Sequence, residues 1–104
     1  MSGAVIDFHA INSAALPVLP SLLDRWAPGG RTLGREYVVR NPTRKDRSIG
    51  SFRINLVTGR WADFATGDAG GDVIALAAYL HNLSQAEAAK RIADMLGIAQ
   101  DISP

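Results

Sequence analysis

The sequence predicts a small α+β domain: an N-terminal helix, an antiparallel ribbon of about three strands, and two C-terminal helices. Three local patterns carry this prediction. Phe52, Ile54 and Leu56 alternate with Ser51, Arg53 and Asn55, and a glycine-containing turn then leads into a second strand. Asp72 precedes a run in which Val73, Leu76, Ala77 and Leu80 fall on one helical face. Ser84-x-x-Glu87 is a capping box that opens a last helix, and Gly97 closes it.

At the N-terminus, Val5-Ile6-Asp7-Phe8 reads as a loose extended lead, and Asn12 as the cap of a short helix through Leu16. A helix is expected over 17–26, because Pro17 or Pro20 fits a first turn. Val18, Leu22 and Trp26 share one face, with Trp26 as a core anchor. Pro28-Gly29-Gly30 ends this segment. Tyr37, Val38 and Val39 favour a strand over 35–40, and a polar basic loop follows over 41–50.

The hairpin over 51–64 sets the functional expectation. A three-residue loop Val57-Thr58-Gly59, with Gly59 left-handed, would place Ile54 opposite Ala62 and Phe52 opposite Phe64 on the core face. Arg53, Asn55 and Trp61 would then share the outer face. The glycine-rich stretch 65–71 reads as a turn into a helix. It is a weak phosphate loop, since no lysine follows the glycines and Asp72 is better explained as an N-cap. His81 near its helix C-terminus complements the helix dipole. Ala89, Ile92, Ala93 and Leu96 form the buried stripe of the last helix, with Lys90, Arg91 and Asp94 on its solvated side.

Composition bounds the rest. With 104 residues, 47% of them hydrophobic, there is material for one core and not two. The chain has no cysteine, which removes disulfide and thiol chemistry. No apolar run approaches a membrane span, and no signal-peptide pattern opens the chain, so a cytoplasmic location is expected. The net charge is +1, but it is segregated. Eight basic residues lie between Arg31 and Arg60, opposed there by Glu36 and Asp46 alone. Such clustering is the footprint of a polyanion-facing patch. The competing reading is ordinary surface charge on a hairpin and its loops.

Two anchors carry a resemblance to a known protein family. The first is Asn41-Pro42-Thr43-Arg44 followed by Asp46, Ser51 and Phe52. It stands where that family has Cys-Pro-Phe-His, an acid, and Pro-Ser-Phe. The second runs from Trp61 through Gly70-Gly71-Asp72-Val73-Ile74 to the Ser84-Gln85-Ala86-Glu87-Ala88 helix and Gly97-Ile98. Together they resemble the N-terminal zinc-ribbon domain of bacterial and phage-type DNA primases, over a little more than half of the chain and with one inserted residue near Ile49-Gly50. It places the family's four metal ligands at Asn41, Arg44, Phe64 and Gly67, a set that cannot bind zinc in the usual way. It therefore implies a metal-free ribbon without cofactor, in which Phe64 is an apolar substitute for the metal. The divisions are 1–30 as an N-terminal helical segment, 31–98 as the ribbon-like domain, and 99–104 as a tail.

The resemblance also implies a binding accessory rather than an enzyme. No nucleophile elbow, phosphate-loop lysine or metal cluster occurs, and the polymerising domain of primases is absent from this chain. The expected activity is engagement of single-stranded DNA or primed template in a primase-like replication system of a phage, plasmid or integrated element. A primase or helicase catalytic subunit is an expected partner. The candidate nucleic-acid-binding residues are Arg40, Arg44, Lys45, Arg47, Arg53, Asn55, Arg60 and Trp61. Exposed Trp61 would stack on a base while the arginines track phosphates. The alternative is a protein-interaction module, a regulator or inhibitor that keeps the fold without DNA binding. Burial of Trp61 together with an exposed apolar helix face would favour that alternative.

Overall fold

The computed structural model describes residues 4–45, 49–98 and 101–102. It is an α+β fold, as the sequence predicts. Strand β1 (Ala4–Val5) precedes helix α1 (Phe8–Ala15), a 3-10 turn (Leu16–Val18) and helix α2 (Leu19–Trp26). Five strands follow: β2 (Arg31–Leu33), β3 (Glu36–Val39), β4 (Phe52–Asn55), β5 (Trp61–Asp63) and β6 (Ala69–Gly70). They form one antiparallel meander in the order β2-β3-β4-β5-β6. Helices α3 (Val73–His81) and α4 (Gln85–Leu96) complete the core layer. Strand β7 (Asp101–Ile102) pairs with β1 as a separate two-stranded ribbon.

The helix ends follow from their local chemistry. The Asp72 carboxylate accepts the Ala75 amide at 2.8 Å. Ser84 and Glu87 form a reciprocal capping box, and Gly97 is left-handed at φ 69°. The N-terminal region differs from the prediction. Asp7, not Asn12, caps α1 by accepting the Ala10 amide. Asn12 lies inside α1, and its side chain instead accepts the Ile74 amide, so it supports the start of α3 from a neighbouring helix. The expected single helix over 17–26 begins with a 3-10 turn, because Pro17 and Pro20 remove amide donors at its start.

The sheet has two strands more than the ribbon predicted. The residues of β2 are all exposed, so they carry no burial alternation to read. β6 lies in the glycine-rich stretch that resembles a turn.

The hairpin register is the main correction. The β4–β5 loop has four residues, 56–59, because Asn55 donates its amide to the Arg60 carbonyl at 2.7 Å. The Asn55 side-chain oxygen accepts the Val57 and Thr58 amides and folds the extra residue into the loop. Gly59 is left-handed as expected, at φ 81°. Ile54 therefore pairs with Trp61, and Phe52 with Asp63. A slip of one residue turns every β5 side chain to the opposite face. Trp61 is buried at 6% exposure, and Phe64 is 72% exposed.

The core joins Tyr37, Val39, Phe52, Ile54 and Trp61 from the sheet with Leu19, Leu23, Ile74, Leu76 and Ile92 from the helices. Tyr79 on α3 bridges the layers, with its ring 4.6 Å from Trp61 and 6.1 Å from Phe52. The Tyr37 hydroxyl donates to the Ala27 carbonyl at 2.7 Å and fastens β3 to the end of α2. Trp26 is half-buried beside the core and meets His81 edge-on at 5.5 Å. No helix among the described residues is long and apolar enough to cross a membrane.

Candidate nucleic-acid interface

The loop after β3 is closed by side chains. Asn41 is 1% exposed and Asp63 is fully buried. Asn41 Nδ2 donates to Asp63 Oδ2 and to the Tyr79 hydroxyl, both at 2.8 Å. Asn41 Oδ1 accepts the Thr43 amide at 2.9 Å. Arg44 grips the same carboxylate from Nε at 2.9 Å and from Nη2 at 3.3 Å, and Nη2 also reaches Ser51 Oγ at 3.1 Å. The Ala65 amide donates to Asp63 Oδ1, and the Tyr79 hydroxyl donates to Asp68. Burial alone would raise the Asp63 carboxyl. The hydrogen bonds from Arg44, Asn41 and Ala65, with the Arg44 charge, outweigh it and hold the group well below the usual carboxylate range.

This polar clip overturns the expected apolar substitute. Phe64 packs against nothing that could close the loop, since most of its surface is exposed. Asn41 and Arg44 do the closing, with Asp63 as the shared acceptor. Gly67 takes part only through its backbone, donating to the Asp63 carbonyl at 2.8 Å. Among the described residues no group of three or more potential ligands could hold a metal. Thermal unfolding is accordingly expected to be unchanged by a strong chelator. Stoichiometric zinc in the purified protein, with unfolding on its removal, would refute this.

The outer face of the sheet carries the remaining candidates. Side chains alternate along each strand, and directly paired residues share a face. Arg31, Val38, Arg53, Ala62 and Ala69 form one cross-strand row. Glu36 and Asn55 belong to the next, with Arg60 beside Asn55 through the backbone pairing. Phe64 donates its amide to the Ser51 carbonyl and continues the outer alternation past β5. Arg31, Arg40 and Arg60 are exposed, and Arg53 is half-buried. Arg53 donates from Nε to the Gly50 carbonyl at 3.0 Å and from Nη1 to Glu36 Oε1 at 3.2 Å. A cleft of about 470 Å³ opens here, with Glu36, Arg53, Arg60 and Phe64 around a floor that includes Ala62 and Gly70.

Of the predicted residues, Arg53, Asn55, Arg60 and Trp61 line this cleft, Trp61 with only 6% of its surface exposed, and Arg40 and Lys45 are exposed. Trp61 is corrected: its indole faces the core, where a Cβ on Gly70 would lie 2.5 Å from it, so position 70 has room only for glycine. Arg44 is also corrected, because its guanidinium is committed to Asp63. Arg47 lies outside the described residues. Sequence reasoning missed Asp63, Tyr79, Glu36 and the outward Phe64. The parity of Trp61, Asp63 and Phe64 along one strand was the available signal: an acid and an indole share a face, and the phenyl takes the other. No protein-family model matches the chain, and no curated protein matches it.

Proposed function

We propose that the outer face of the sheet binds single-stranded nucleic acid, as the template-engaging accessory of a primase-like replication system. The observation that carries this reading is Phe64, 72% exposed on a face whose cations include Arg31, Arg53 and Arg60. An exposed ring beside guanidinium groups suits base stacking with phosphate tracking. Phe64 thus takes the role that the sequence suggested for Trp61. The reading is of a binding module without chemistry of its own, acting beside a primase or helicase catalytic subunit.

A titration against single-stranded, duplex and primed DNA at two salt concentrations tests it. Single-strand affinity is expected to fall with salt, with a log–log slope of roughly −0.7 per neutralised phosphate. Arg60→Ala should flatten that slope. Phe64→Ala should leave the slope intact and weaken binding by about 1–3 kcal/mol. Its folding stability should stay within about 0.5 kcal/mol of the parent, as for an exposed site. Absence of affinity even at low salt would overturn the proposal. The protein-interaction reading would then gain from Trp61 being buried and from Val18 and Met95, which are exposed on the helical side around a cleft between α2 and α4.

A further inference from the structure

Among the described residues that line the outer cleft, Glu36 is the one carboxylate. Its position is not explained by strand binding, because a carboxylate repels phosphates. Nor does stability explain it. The Glu36 and Arg53 side chains are each 38% exposed, and such surface pairs contribute little. The pair does fix a geometry. Arg53 is anchored from Nε on the Gly50 carbonyl and from Nη1 on Glu36 Oε1, which leaves Nη2 as a donor. Glu36 Oε2 remains as an acceptor beside it. A donor and a carboxylate therefore stand together at the cleft wall.

The lining between this pair and Phe64 includes the small residues Ala62, Ala69 and Gly70. A planar ring can lie flat there. Glu36 and Phe64 lie four residues apart along the strands and two strands apart across them, roughly 16 Å at the usual rise and strand spacing. That span takes one base with the side chains that contact it.

We infer that this cleft is a guanine-selective base subsite, in which Glu36 reads the Watson–Crick edge and Arg53 supports it. The inference rests on the strand-binding reading above. Guanine offers two adjacent donors on that edge, N1–H and N2–H, next to the O6 acceptor. A carboxylate accepts both donors, and Arg53 Nη2 donates to O6. Adenine and cytosine offer an amino group beside a ring acceptor, and thymine a single N–H between two acceptors. None of them fills both carboxylate oxygens. The edge is accessible only in an unpaired base, so the selectivity belongs to single strands.

The experiment uses fluorescence anisotropy on thymidine oligomers carrying one central guanine, adenine, cytosine or hypoxanthine, at one salt concentration. The guanine oligomer is expected to bind about tenfold tighter, the scale of one bidentate base contact. Hypoxanthine lacks the 2-amino group and should lose most of that gain. Glu36→Gln should abolish the preference while all-thymidine binding is kept or strengthened, since a charge repelling phosphate is removed. Phe64→Ala should weaken all the oligomers alike and keep the preference. Equal affinity across the oligomers overturns the guanine subsite and leaves strand binding standing. A preference that survives in Glu36→Gln, or hypoxanthine equal to guanine, also overturns it. No binding to any oligomer overturns both readings.

Discussion

Arg44→Ala is expected to destabilise the domain by about 3 kcal/mol, because it strands a fully buried carboxylate. Asn41 and the Ala65 amide would still bond Asp63, which keeps the cost from rising further. Asp63→Asn in the same chain should restore part of the loss, since a neutral amide no longer demands a cation. Urea unfolding of the two single variants and the double variant measures the coupling directly. The pH dependence has a definite sign. The native Asp63 carboxyl is depressed, so its contribution is complete above about pH 4, the ordinary aspartate range. It is lost as the pH falls toward the native value. Asp63→Asn should flatten that acid limb. Equal acid sensitivity in parent and variant would mean that the carboxylate is not the stabilising partner.

Trp61→Ala is expected to cost about 3–5 kcal/mol, the range for removing a large buried aromatic. The indole stacks at 4.6 Å on Tyr79 and meets Phe52 edge-on at 6.2 Å, so its loss opens the junction of sheet and helices. Among the described residues its Nε1 has no hydrogen-bond partner. Trp61→Phe should therefore cost far less than the alanine variant, because it removes an unsatisfied buried donor along with some volume. Chemical denaturation of Trp61→Ala beside Phe64→Ala decides which aromatic faces inward. A larger loss for Phe64→Ala would reinstate the opposite register.

What was legible in the sequence was what short spans determine. Asp72, Ser84, Glu87 and Gly97 act within three or four residues of themselves, and each does in the structure what its position predicted. The hairpin was legible as an element because Phe52 and Ile54 alternate with polar neighbours. Its register was not, since it depended on whether Asn55 would accept two loop amides and so lengthen the loop by one. That one residue decided the fate of Trp61, Asp63 and Phe64 together. The clip was illegible for another reason. Asn41, Arg44, Asp63 and Tyr79 lie on a loop, a strand and a helix, and no spacing rule joins them. The basic face survived the register error. Arg53 lies on β4, whose facing is the same in both registers, and Arg60 is exposed beside Asn55 across the hairpin.

The clip also bears on the order in which the domain assembles. Asn41 meets Asp63 across 22 residues and Tyr79 across 38. Contacts so distant in sequence form only after much loop entropy has been spent. The clip draws its partners from the loop after β3, from β5 and from α3, so it is complete only once these are docked together. A contact made after the folding barrier governs departure from the native state more than arrival at it. If Asn41, Arg44 and Asp63 meet after that barrier, Arg44→Ala should speed unfolding and leave the folding rate nearly unchanged.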